Sequence, residues 1–162
     1  SLVSGDAARA LLRELASAAT TATAFEQVGG AQACLQQACG YARERKVFGQ
    51  LIGAFQGIKF SLAPIYADIE IARGCALDAL ATMARNPMAA LPFAAAARLA
   101  ATDAYEHAAR ENIQVHGGIG VTWESSQHLH YRRARVLALE LGASPYWRDI
   151  LVGNVELLTE GY

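Results

Sequence analysis

The chain has 162 residues, 53% of them hydrophobic and 18% charged, with a formal net charge of −1 at pH 7. That size suits one domain with a substantial core, and the charge balance excludes a nucleic-acid surface or a polybasic membrane patch. Arg, Glu, Asp or Gln break every apolar run well short of a bilayer span. Cys34, Cys39 and Cys75 are odd in number, lack metal-ligand spacing and fall in helix-reading segments. They read as small reduced core residues of a cytoplasmic protein. The sequence begins at Ser1 with no basic-then-apolar leader, so a processed product or a piece of something longer is expected.

Alanine is abundant and alternating β-branched runs are absent, so the reading is all-α. The first helix is expected from about Asp6 to Arg43, with Asp6 as N-cap. Leu11, Leu12, Leu15, Ala19, Ala22, Phe25 and Val28 form its apolar stripe. Gly29 and Gly30 fall inside it at a cost of about 1 kcal/mol each relative to alanine, which implies close approach of a neighbouring helix or ligand. Val47 to Phe55 reads as a loop punctuated by Gly49 and Gly53. A second helix is expected from about Gln56 to Ala84, with Ile58, Leu62, Ile65, Ile69, Ala72, Ala76 and Leu80 inward and Pro64 as a kink point. Asn86-Pro87 restarts the chain as N-cap and first helical residue of a third helix, which ends near His116.

Gln114-Val-His-Gly-Gly-Ile-Gly120 then stops that helix abruptly. Three glycines in four residues leave a bare backbone able to take positive φ, beside the polar Gln114. Such a turn is either an ordinary helix C-cap or a surface on which a planar or phosphorylated ligand lies. Ser126 to Val136 reads as a short helix with a basic face of His130, Arg132, Arg133 and Arg135. Gly142 interrupts, and Pro145 opens a last helix to about Leu158. Three long helices and two shorter C-terminal ones make an up-down bundle, one domain over residues 1–162.

Three segments carry a resemblance. They are Tyr41-Ala-Arg-Glu-Arg-Lys-Val-Phe-Gly49 with Ile52-Gly-Ala-Phe-Gln56, then Gln114 to Gly120, then Tyr131-Arg-Arg-Ala-Arg135 with Gly142-Ala-Ser144. From about Ala7 to Leu158 the chain resembles the C-terminal helical domain of the acyl-CoA dehydrogenases. The N-terminal helical and middle β-domains of that family have no counterpart in it. The resemblance implies FAD as cofactor, an acyl-CoA substrate and an electron-transfer acceptor in the complete enzyme, and a homo- or hetero-oligomer. It implies that Arg45 holds the FAD pyrophosphate and Phe48 lines the same site, and guanidinium suits phosphate because it pairs bidentately. It also implies that Gln114, Gly117 and Gly118 contact the FAD of a neighbouring subunit. His116 reads as a helix C-terminal residue favoured by the dipole rather than as a catalytic group.

The α,β-dehydrogenation of an acyl thioester needs a carboxylate to take the α-proton. The positions at which the family carries it match Leu141 and Ala19, and neither is an acid. Glu140 is the remaining candidate base, with an ion pair to Arg133 or Arg135 as its alternative role. Subunits of bacterial heteromeric, steroid-type acyl-CoA dehydrogenases resemble this pattern, since one subunit type there lacks the base. A base-less partner subunit or helical assembly module is therefore the second reading. Other constellations carry less. His128 and His130 are about 200° apart on a helix, and Asp68 and Glu70 fail as a pair for the same reason. No serine sits in a nucleophile elbow, and Trp123 and Trp147 read as packing or interface residues.

Overall fold

The computed structural model describes residues 4–155. Helix α1 spans Gly5–Glu44, a two-residue hairpin pairs β1 (Lys46–Val47) with β2 (Gln50–Leu51), and α2 spans Gln56–Arg85. Helix α3 is Ala90–His116, α4 Gln127–Leu139 and α5 Ser144–Val152. The expected all-α bundle of three long and two shorter helices is what forms. Part of the span expected for the last helix, up to Leu158, lies outside the described residues.

The helices α1 and α3 run parallel and in register. Gln27 meets Thr102, the Gly30 backbone meets the Tyr105 ring, Gln37 meets Asn112, and Tyr41 stacks on His116. Each pair is separated by 75 residues, and buried Cys34 and Ala109 occupy the layer between. Positions 27, 30, 34, 37 and 41 therefore alternate steps of three and four, the spacing of a coiled-coil seam. Its side chains are small or polar where a coiled coil carries leucine. Helix α2 runs antiparallel to both, tied by Arg73 to Gln32 at 2.9 Å and by His107 to Asp68 at 2.8 Å. Helix α4 returns along α1 and α3 through bonds from His130, Arg133 and Arg135.

Several expectations need correction. Ser4, not Asp6, is the N-cap of α1, without a side-chain cap. The expected leucine stripe points outward: Leu11, Leu12 and Leu15 are exposed, as are Ala19 and Ala22. The buried face is Ser17, Thr20, Thr21, Ala24, Gln27, Val28, Ala31, Cys34, Ala38 and Ala42. The physical reason is register. With Gln27 level with Arg98 and Thr102, the first three turns of α1 extend beyond the start of α3 and have nothing to pack on. In α2 the buried set holds from Leu62 to Ala76; Ile58 is partly buried, and at the far end Ala79 is buried and Leu80 exposed. The helix continues through Pro64. The 47–55 loop is mostly ordered as the hairpin and a 3₁₀ turn, Ile52–Ala54. Asn86 makes no side-chain cap and Pro87 opens a 3₁₀ turn, so α3 starts at Ala90. Cys34 is buried and Cys39 and Cys75 partly so; burial pushes the Cys34 thiol up to about 12, as befits an inert core residue.

The two mid-helix glycines separate cleanly. A Cβ on Gly30 would stand 2.4 Å from the Tyr105 ring, whereas one on Gly29 would meet nothing within 4 Å. Gly30→Ala should therefore destabilise the chain by about 1–3 kcal/mol through overpacking, despite its better helix propensity. Gly29→Ala should stabilise it by about 0.5–1 kcal/mol. Urea midpoints of the two variants, measured side by side, check both signs.

Candidate functional site

Two neighbourhoods at opposite ends of the bundle hold the candidate residues. The first gathers the end of α1, the hairpin and the end of α3. Arg45 is the first residue beyond α1; its N–H donates to Tyr41 O at 2.9 Å and its carbonyl accepts from Ile52 N at 2.8 Å. The backbone is thus pinned on both sides while the side chain is exposed. Among the described residues Arg45 forms no ion pair, with Glu44 or any other acid. Phe48 and Gly49 occupy the hairpin turn with φ of 53° and 82°, both left-handed as a type I′ turn requires. For a phenylalanine that backbone costs about 1–2 kcal/mol. The ring gains no packing in return, being 95% exposed. Val47 and Gln50 flank the turn as a pair on the two strands.

The glycine turn lies at this same end, because Tyr41 stacks on His116 with ring centroids 4.3 Å apart. Its three glycines have different reasons. Gly117 caps α3 at φ 65°. Gly120 is buried, and a Cβ there would sit 2.8 Å from Ile113 O. Gly118 has neither constraint, and nothing lies within 4 Å of a Cβ built on it. Gln114 is exposed. His116 is consumed within the chain: Nδ1–H donates to the Asn112 carbonyl at 2.7 Å, so Nε2 accepts from Gln127 Nε2 at 3.1 Å. That neutral tautomer leaves no free ring nitrogen for catalysis. Gln127 in turn accepts from Ser125 Oγ. Arg45 and Gln114 thus lie at the same end of one chain.

The second neighbourhood is the turn after α4. Glu140 is exposed, Leu141 has φ 60° and Gly142 φ 106°. Arg133 pairs with Glu26 at 2.6 Å and Arg135 with Glu106 at 2.5 Å, so the expected ion pair of Glu140 with either arginine does not form. What touches Glu140 instead is Arg98, whose Nη2 donates to the Glu140 carbonyl at 2.7 Å and also to the Leu137 carbonyl. Arg98 Nη1 donates to Gln27 Oε1 at 2.6 Å and to Thr102 Oγ1 at 3.3 Å. The residue is 1% exposed. Burial pushes its guanidinium below the ordinary value, and the Glu140 charge opposes this. Sequence reasoning missed Arg98. The signal was there: it is the only charged residue between Asn86 and Thr102. Sixteen helical residues separate Arg98 from Gln114, so the two neighbourhoods lie about 24 Å apart.

A family model for the acyl-CoA dehydrogenase C-terminal domain matches residues 11–155. The chain belongs to the acyl-CoA dehydrogenase family. It is 44% identical over 137 residues to acyl-CoA dehydrogenase IpdE2 of Mycobacterium tuberculosis, covering 85% of this chain and 40% of that protein. Among solved structures, the glutaryl-coenzyme A dehydrogenase glutaryl-CoA complex matches with a TM-score of 0.88 and 28% identity, over 94% of this chain and 38% of that one. The Tcur3481–Tcur3483 steroid ACAD matches with a TM-score of 0.80 and 28% identity, over 90% and 39% respectively. The steroid-type resemblance drawn from the sequence is thus matched, and the chain spans about two fifths of each of these relatives. Among the described residues no helix is long and apolar enough to cross a membrane.

Family members carry FAD, and the first neighbourhood fits such a ligand. It offers a cation without a carboxylate, an aromatic ring with no packing, and an unfilled glycine surface at one end. Between the two neighbourhoods a polar relay holds α4 in place. Asn112 Nδ2 donates to Gln37 Oε1 at 2.9 Å, Gln37 Nε2 donates to His130 Nε2 at 3.3 Å, and His130 Nδ1–H then donates to the Tyr105 hydroxyl at 3.0 Å. This arrangement requires a neutral imidazole, and burial lowers the His130 pKa from 6.5. Below pH 6.5 the unfolded chain therefore binds more protons than the folded one, so this contribution to stability is complete above pH 6.5 and is lost as pH falls. Urea midpoints should drop between pH 7.5 and pH 5.5, and His130→Gln should flatten that dependence.

Proposed function

We propose that this acyl-CoA dehydrogenase domain works in a flavoprotein that dehydrogenates acyl-CoA thioesters at the α,β bond. Its own share is to hold FAD and to join subunits. The observation that carries the reading is the end of the bundle where free Arg45, exposed Phe48 and the open Gly118 surface occur together. FAD, when bound, supplies the acceptor for the β-hydride. Arg45 grips the pyrophosphate in a bidentate, charge-assisted contact. Phe48 would line the same site, and Gln114, Gly117 and Gly118 would contact the FAD of a neighbouring subunit, where the bare Gly118 backbone leaves room for close approach. The turn at Glu140 is about 24 Å away along the bundle.

A second reading, a base-less subunit whose partner chain provides the proton acceptor, is favoured by one observation. The left-handed turn presents the apolar Leu141 at one family base position, and Ala19 stands at the other. Glu140 is the only carboxylate on that turn. Arg45→Ala in the assembled flavoprotein should weaken FAD binding by about 10- to 150-fold, the equivalent of one charge-assisted contact of about 1.5–3 kcal/mol. Glu140→Gln should leave flavin content unchanged, and its turnover decides between the readings. A loss of about a hundredfold or more identifies Glu140 as the base, whereas unchanged turnover assigns the base to a partner. Flavin absorbance during titration and steady-state turnover measure the two effects.

Assembly follows from what the surface leaves uncovered. On α2 Phe60, Tyr66, Ile71 and Leu77 are exposed, and so are Leu11, Leu12 and Leu15 on the projecting start of α1. Apolar area on this scale marks an interaction surface. Sedimentation velocity at tens of micromolar (roughly the range in which weak contacts register) should show a species larger than one chain. A monomer across that range would count against assembly through this domain.

A further inference from the structure

We infer that Arg98 is a positioning residue that fixes the Glu140–Gly142 turn as the reacting wall of the acyl site; this rests on the function proposed above. The turn ends α4, and a helix end leaves backbone carbonyls without partners. Here five carbonyls in and before the turn have partners. Val136 O accepts Glu140 N–H at 3.1 Å and Leu139 O accepts Gly142 N–H at 3.2 Å. Leu137 O and Glu140 O both accept from Arg98 Nη2. Gly142 O accepts from the indole of Trp147 at 3.0 Å. One buried cation from α3 and one buried indole from α5 thus hold the turn from two sides.

The arrangement is expensive for a structural purpose alone. Among the described residues Arg98 forms no ion pair, and its Nε has no partner. What balances its charge is the negative end of α4 and the field of the nearby Glu140 carboxylate. An apolar side chain of similar volume would fill the same space without burying a charge. What it could not do is fix two carbonyls with a planar fork of donors. The second cost is conformational. Leu141 and Gly142 are both left-handed, and a Cβ on Gly142 would stand 2.8 Å from the Tyr146 ring. Backbone strain persists only where its surroundings over-determine it, and it concentrates at working sites. The side chain so held is Leu141, 47% exposed, where a proton acceptor or a substrate-facing wall is required.

The test uses Arg98→Met and Arg98→Lys, each with Trp123→Phe so that Trp147 is the sole tryptophan of these 162 residues, any tryptophan elsewhere in the assembled protein being replaced by phenylalanine as well. Acrylamide quenching of Trp147 reads the turn without any cofactor. Steady-state kinetics of the assembled flavoprotein, with Trp123→Phe alone as reference, read its consequence. In Arg98→Met, Trp147 should become more quenchable, and kcat should fall about 10- to 100-fold, the penalty of a displacement near 1 Å, with flavin content retained. Arg98→Lys, which keeps the charge and reaches one carbonyl, should recover part of both. If Arg98→Met does not fold, Arg98→Lys carries the same two readouts. Unchanged Trp147 quenching in a folded variant overturns the inference, and so does a loosened turn with unaltered kcat. Failure of the underlying function is distinguishable, because the reference protein itself would then bind no FAD.

Discussion

The structure hangs on the register of α1 against α3. Contacts at a constant separation of 75 residues run from Gln27–Thr102 to Tyr41–His116, about 21 Å of helix. A seam made of leucines tolerates slippage, because one apolar contact resembles the next. This seam does not, because each layer is chemically different: an amide against a hydroxyl, a glycine under a tyrosine ring, an amide pair, two stacked rings. A shift of one turn would bury several unpaired polar groups, each costing about 1–3 kcal/mol. The polar layers thus set the register, and the alanines of α3 let the helices approach closely enough for those layers to meet.

Everything functional inherits that register. At one end it brings the residues after α1 beside the glycine turn after α3, so segments some seventy residues apart form one surface with Arg45, Phe48 and Gly118. At the other it sets Arg98 level with Gln27 and under the carbonyls that end α4. Helix α4 spans the distance between them. Gln127 meets His116 near its start, His130 meets Gln37 and Tyr105 in its first half, and Leu137 meets Arg98 near its close. One short helix therefore touches both ends of the bundle.

The same packing explains the outward face. Because the seam between α1 and α3 is filled by small and polar residues, many large apolar side chains of α1 have no place inside. They form a surface suited to neighbours, in keeping with a chain that spans about two fifths of its relatives.

By itself the sequence determined the helices, their order and the family resemblance. Alanine content, glycine and proline punctuation and the Glu44-Arg-Lys-Val-Phe-Gly49 segment are local signals, and local signals survive without a partner. It also distinguished a base-poor turn at Leu141, since that needs only residue identity. Tertiary structure alone decided which face of α1 is inside. Periodicity favours the large residues at Leu11, Leu12 and Leu15, whereas burial depends on where α3 begins. Only the fold separated Gly30, under a ring, from Gly29, in open space, and Gly120, against a carbonyl, from Gly118, with room beside it. Arg98 is the sharpest case. In sequence it is one cation among alanines, and its meaning lies in carbonyls about forty residues away. No pattern along the chain encodes that contact, because it exists only once α4 has folded back over α3.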